Sequence, residues 1–215
     1  MTTNMPLLQT SFEDIYDGHG LDVPWYMIAG NHDHFGNVSA QVAYTSRSRK
    51  WHFPKLYYKL SFPLRNSTID VLMIDTIVLC GNTADIENGG FFDMLWNGSR
   101  DPDGPKDAKK AEEQWQWIED NLNSSRADYL FVGGHYPIYS VASHGPTHCL
   151  VERLDPLLKK YNASAYFAGH DHTLQIGSKP FKWIFYGQAA YLCCGNIARF
   201  SDNQTVKSRS DNLFV

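Results

Sequence analysis

Three short stretches place chemically able side chains directly behind an apolar run and a glycine: Gly30-Asn31-His32-Asp33-His34, Gly134-His135 and Gly169-His170-Asp171-His172. Neutral imidazole nitrogens are the commonest ligands for first-row transition metals, and an asparagine carbonyl oxygen can complete a site of mixed hardness. His170 and His172, with one residue between them, point two rings at neighbouring positions, which suits two ions rather than one. A pair of ions about 3.5–4 Å apart clamps the attacking and leaving oxygens of phosphoester hydrolysis. A further histidine that is not a ligand would protonate the departing alkoxide. A tight turn accounts for Asn31 and Asp33, whose residue types tolerate turn backbone, and any one strand-end histidine is most simply hydrogen-bonded. Neither account covers three glycine-to-imidazole junctions at once.

The elements that must carry these residues are legible as apolar runs of strand length: "VPWYMIAG", "LYYKLSF", "IDVLMIDTIVL", "ADYLFVGG" and "ASAYFAGH". Helical periodicity separates the later ones. Ala108, Ala111, Trp115, Ile118 and Leu122 recur at three- and four-residue spacings, as do Leu150, Leu154, Leu157 and Leu158, with Pro156 expected to start a new turn rather than sit mid-helix. Strands alternating with helices indicate an α/β domain, and the carboxyl ends of strands in such sheets are where ligands bind. "NGGFFDMLWNGSRDPDGPKD" reads as a long surface loop. Cys80 closes a strand-like run and Cys149 opens a helix-like one, compatible with a disulfide or with two buried thiols; Cys193 and Cys194 are adjacent, and no C-x-x-C spacing occurs.

The 215 residues, 43% hydrophobic and 20% charged, suffice for one domain with a sizeable core. A net charge of -4 supplies no positive field for nucleic acid or an anionic membrane. No apolar run approaches the ~20 residues of a membrane span, and the opening "MTTNMPLLQTSFED" lacks the regions of a signal peptide. Six Asn-x-Ser/Thr sequences, at Asn37, Asn66, Asn97, Asn123, Asn162 and Asn203, point instead to the secretory route.

Asn-His-Asp, Gly-His-Tyr-Pro and Gly-His-Asp-His, in that order, resemble the metallophosphoesterases. Within that superfamily "VPWYMIAGNHDHFGNVSAQVAY", "GGHYPIYSVASHGPTHCLV" and "AGHDHTLQ" are similar to the tartrate-resistant purple acid phosphatases, over roughly Ser11 to Gln175. The resemblance implies an α/β fold of the metallophosphoesterase type, a β-sheet sandwich flanked by helices. It implies that Asn31, His135 and His170 bind the divalent metal and His172 the ferric iron, that His32 is the general acid, and that His144 holds or protonates the substrate phosphate. It also implies a Cys80–Cys149 disulfide, a glycan at Asn37, phosphate monoesters as substrates, a monomeric state and a secreted or lysosomal location.

The family's first motifs, which supply two Asp and one Tyr, have no counterpart in "MTTNMPLLQTSFEDIYDGHGLD", and the segment after Gln175 departs from the family pattern. The expectation is therefore a partial domain over 1–175, lacking its first strand-helix units, with a divergent tail over 176–215. The intact family holds a dinuclear iron, iron-zinc or iron-manganese centre. The chain as written is expected to hold at most one weakly bound divalent ion, since ferric iron favours anionic oxygen, and to be colourless and impaired or inactive as a phosphatase for lack of those first motifs. Tyr136, next to His135, is expected by strand alternation to face away from the ligands. Two alternatives are a metallophosphoesterase acting on diesters or phosphoproteins, and a non-catalytic secreted glycoprotein fragment.

Overall fold

Apolar runs that read as separate strands come together, in a computed structural model, as one mixed sheet with helices against it. Residues 5–83, 101–142, 144–172, 174–178 and 182–185 are described. In chain order, α1 (Met5–Leu8) runs into a π-helical turn at Gln9–Glu13, followed by β1 (Trp25–Tyr26), α2 (Asn31–Phe35), α3 (Val38–Tyr44), β2 (Trp51–His52), β3 (Tyr58–Pro63) and β4 (Thr68–Met73). Then come α4 (Thr76–Cys80), α5 (Ala108–Ser124), β5 (Tyr129–Gly133), α6 (His148–Lys160), β6 (Ala165–Ala168), β7 (Ile176–Ser178) and β8 (Lys182–Phe185).

The six-stranded sheet has the order β3-β4-β5-β6-β8-β7. β3 and β4 form an antiparallel hairpin with Tyr58 opposite Met73, whereas β4, β5, β6 and β8 run parallel. Parallel neighbours require a crossover, supplied by α5 between β4 and β5 and by α6 between β5 and β6. The carboxyl ends of β4, β5 and β6 therefore share one edge, and Ile74, Gly134 and Gly169 follow them there. β1 and β2 make a separate two-stranded parallel pair.

Side chains alternate across a strand, and β4 feeds two cores in this way. Leu72 packs with Trp115, Ile118, Leu122, Leu150 and Leu154 beneath α5 and α6. Ile69, Val71 and Met73 join Phe12, Trp25, Trp51, Phe53 and Tyr58 on the other face. Asp107 caps α5 by accepting the Lys109 and Lys110 N–H groups, an interaction worth about 1 kcal/mol.

Four sequence-based expectations are corrected. "IDVLMIDTIVL" is not one strand: Asp75 stops β4 and caps α4, its Oδ1 accepting the Ile77 and Val78 N–H groups at 3.0 and 2.9 Å. The apolar residues on both sides of Asp75 masked this change, because a buried short helix and a buried strand look alike in sequence. α6 runs through Pro156 without a break; the ring replaces one interior N–H, and the leucines on either side keep the helix packed. Only Trp25 and Tyr26 of "VPWYMIAG" are in a strand, and Asn31–Phe35 is a short helix rather than an open turn, with the Gly30 N–H held by Asp33 Oδ2 at 2.8 Å. The fourth correction, at Tyr136, belongs to the site. Most of "NGGFFDMLWNGSRDPDGPKD", together with Cys193, Cys194, Asn97 and Asn203, lies outside the described residues.

Candidate functional site

Beyond β5 the chain passes Gly134, where a Cβ would strike the Tyr166 hydroxyl and come within 2.8 Å of Thr76 Cγ2. Only glycine lets the backbone through, and it delivers His135 to the sheet edge. The Gly134 N–H donates to Phe167 O at 2.9 Å and the Gly169 N–H to His135 O at 3.0 Å, so the extensions of β5 and β6 stay joined up to the site.

His135 Nε2 lies 2.9 Å from Asn31 Oδ1. Asn31, the first residue of α2, is 1% exposed, and its Nδ2 donates to Thr83 Oγ1 at 3.3 Å. That donation turns the amide oxygen toward the imidazole, so His135 carries its proton on Nε2 in this arrangement. Gly30 completes the contact, since a Cβ there would sit 2.8 Å from His135 Cε1.

His170 has φ 66°, and the Asp171 N–H donates to Gly169 O at 2.8 Å across it, closing a three-residue turn. A non-glycine residue in the left-handed region costs on the order of 1–3 kcal/mol and persists where its surroundings over-determine it. The surroundings are aromatic: ring centroids lie 5.0 Å from His135, 4.8 Å from Tyr136 and 4.3 Å from His144. The His144 N–H donates to Asp171 Oδ1 at 3.2 Å; Asp171 is buried, and its Oδ2 has no hydrogen-bond partner among the described residues.

Burial pushes the imidazolium of His135 down to about 3, and the positive charges of His170, His32, His144 and His172 act in the same direction. The ring is therefore neutral near pH 7, the form that offers a lone pair to a metal. His32 and His172 are exposed and bear on His135 through charge. Asn31, His135, His170 and His144 are thus brought into one contiguous cluster, with His32 and His172 at its exposed side. Among the described residues, no three His, Cys, Asp or Glu side chains stand together as a group able to hold a metal ion. The donor set fits a divalent ion in kind, two imidazoles and an amide oxygen, and contains no anionic oxygen.

Tyr136 contradicts its expected direction. Its ring packs 5.5 Å from His135 and 4.8 Å from His170, and the residue is fully buried. Alternation fails because β5 ends at Gly133, so the strand rule no longer governs residue 136. Sequence reasoning also gave Asp171 no role of its own and missed Asn82 and Thr83. The run Asn82-Thr83 follows α4, and an Asn82 Nδ2 contact to Asn31 O at 3.5 Å brings it beside α2.

The disulfide implied by the resemblance is present: Cys80 and Cys149 are bonded, with Cα atoms 5.8 Å apart, tying the end of α4 to the start of α6. His148 in that first turn is held by Asp101, N–H to Oδ1 at 3.1 Å and Nδ1 to Oδ2 at 3.0 Å. Asn37 is exposed and caps α3 by accepting the Ala40 N–H at 3.0 Å.

A family model described as calcineurin-like phosphoesterase matches residues 6–174. Human tartrate-resistant acid phosphatase type 5 is 47% identical over 170 residues, which cover 78% of this chain and 49% of that protein. Purple acid phosphatase 7 of Arabidopsis thaliana is 30% identical over 193 residues, 89% of this chain and 54% of its own. The chain spans about half the length of these curated relatives. Among solved structures, the one titled "GAP50 the anchor in the inner membrane complex of Plasmodium" superposes with a TM-score of 0.67 at 25% identity, covering 85% of this chain and 55% of that one. The match over residues 6–174 and the identity to the acid phosphatases place the chain in the calcineurin-like phosphoesterase family.

Proposed function

We propose that this protein hydrolyses phosphate monoesters as an acid phosphatase, from a site built on Asn31, His32, His135, His144, His170 and His172. The observation that carries the reading is the convergence of Asn31, His135, His170 and His144 at the carboxyl edge of the parallel strands. The identity to acid phosphatases over most of the chain supports the same reaction.

Asn31, His135 and His170 would hold one divalent ion; with no anionic oxygen in the set, a ferric ion at His172 is not matched. An ion held there would supply stabilisation of negative charge on an oxygen of the phosphate ester. The remaining work falls to the chain's own side chains. His32, exposed on the first turn of α2, gives a proton to the leaving oxygen, a role typically worth ~10²–10⁴-fold in rate. His144, fixed through its backbone to Asp171, presents its ring to the phosphate. Tyr136 and Tyr166 wall the buried side and exclude water behind His135 and His170. The Cys80–Cys149 disulfide and the exposed Asn37 support a secreted or lysosomal location, where such bonds persist.

A second reading, a non-catalytic protein, is favoured by one observation: the structural neighbour with a TM-score of 0.67 is described as an anchor. Metal analysis and hydrolysis of an aryl phosphate monoester and diester at acid pH separate the readings. A metal-loaded protein that cleaves the monoester faster supports the proposal, and the loss of both metal and turnover in Asn31→Ala ties it to this site. Protein that takes up no metal and cleaves neither ester overturns it.

A further inference from the structure

Three of the Asn-x-Ser/Thr sequences share a placement that only the folded chain reveals. Thr68 opens β4, and Asp128 Oδ2, just ahead of β5, accepts its N–H and hydroxyl at 2.7 and 3.1 Å. Ser125, at the carboxyl end of α5, donates its hydroxyl to Asp70 Oδ2 in β4 at 2.6 Å. Ser164, just before β6, accepts the Leu130 N–H with its hydroxyl at 3.1 Å. The three hydroxyl residues that such a sequence requires are therefore pinned at the amino-terminal ends of β4, β5 and β6. The asparagines two positions upstream, Asn66, Asn123 and Asn162, must lie at that same edge, and all three are exposed. Asn31, His135 and His170 occupy the opposite, carboxyl edge.

We propose that Asn123 and Asn162, alongside Asn66, are N-glycosylation sites whose glycans sheathe the amino-terminal edge of the sheet. The two occupy equivalent places in successive crossovers, where a helix ends and the chain turns back into the sheet. At Asn123 that is the last turn of α5. At Asn162 it is the left-handed residue after α6, with φ 51°. There the Asn162 N–H donates to Lys159 O at 3.3 Å and the Ala163 N–H to Leu158 O at 2.9 Å, the pattern of a Schellman cap. Both positions are convex helix ends facing water, and a bulky polar graft there displaces no packed side chain.

The modification joins the asparagine amide nitrogen to the anomeric carbon of an oligosaccharide. The bond from that carbon to its lipid-linked pyrophosphate carrier breaks, and the amide releases one proton. The carrier belongs to the secretory pathway, so the inference rests on the secretory placement argued above, and the Cys80–Cys149 disulfide supports the same compartment.

The test expresses the full chain behind a secretory leader in a eukaryotic host, which separates acceptor quality from native location. Glycans are removed with peptide N-glycosidase in heavy-oxygen water, and the peptides are read by mass spectrometry. Labelled aspartate is expected at positions 123 and 162, and Asn123→Gln and Asn162→Gly should each remove one step of electrophoretic mobility. Asn162→Gly keeps the left-handed cap, so a lost step there cannot be ascribed to misfolding. Secreted protein that contains the Cys80–Cys149 disulfide yet shows both peptides unmodified would overturn the proposal. Protein from its native source that lacks glycans, while the leader-driven protein has them, would overturn the location and leave the acceptor sites supported.

Discussion

His34 Nε2 and Asp75 Oδ2 are 2.7 Å apart, and the Asp75 side chain has no solvent exposure. Every polar atom of Asp75 is occupied. Its Oδ1 caps α4, its N–H donates to Gln114 Oε1 at 2.8 Å, and its carbonyl accepts from Gln114 Nε2 at 3.0 Å. Gln114, itself fully buried on α5, thus holds Asp75, and Asp75 holds the helix that presents Asn31 and His32.

His34→Ala would leave one oxygen of a buried carboxylate unpaired, at a cost of about 1–3 kcal/mol. The midpoint of urea unfolding is expected to fall accordingly, and His34→Gln, which keeps a donor, to recover part of the loss. An unchanged midpoint in His34→Ala would mean that the contact does not hold α2.

Gly30→Ala is expected to act on the site more than on the fold. The new methyl would sit 2.8–3.1 Å from three atoms of the His135 ring, and the ring would have to leave Asn31. Metal uptake should fall at least tenfold, whereas overpacking of this kind destabilises by about 1–3 kcal/mol. Titration with zinc, beside a thermal melt, distinguishes the two effects; unchanged uptake would argue against His135 as a ligand.

Removing the disulfide should matter broadly. It closes a loop between residues 69 apart in sequence, and loop-closure entropy assigns such a crosslink about 4 kcal/mol, within a usual range of about 2–4. Cys80→Ala with Cys149→Ala is expected to lower stability by that order in chemical denaturation. A change below about 1 kcal/mol would show that α4 and α6 are held by packing alone.

The sequence exposed the framework better than the joints. The α5 stripe Ala111, Trp115, Ile118 and Leu122 is fully buried in the structure, and the Gly-to-His junctions of β5 and β6 do meet. The joints stayed hidden because they depend on partners remote in sequence. Gln114 reads as a polar residue at the margin of the α5 stripe and becomes a buried clamp only when Asp75 arrives. Asp75 reads as an interruption in a strand until its carboxylate caps α4. Tyr136 was misdirected because periodicity says nothing about where a strand stops. The disulfide came from the family resemblance, since cysteine spacing alone does not fix pairing.

His135 gives stability a pH dependence in the metal-free protein. Its folded-state value lies near 3, below the ordinary 6.5, so between these values the unfolded chain binds a proton that the folded chain refuses. Stability therefore rises with pH through this window and is lost as pH falls from 6.5 toward 3. His135→Gln should flatten the acid side of the stability profile relative to the parent. Identical slopes would show that the ring is readily protonated in place.

The central claim is that Asn31, His135 and His170 form one ligand-binding centre, and histidine side-chain nitrogen resonances test it most directly. On titrating the metal-free protein with zinc, the signals of His135 and His170 are expected to move together and saturate at one equivalent, while those of the distant His19 and His52 stay in place. Zinc that shifts His19 or His52 first, or leaves His135 and His170 unmoved at saturation, would contradict the account.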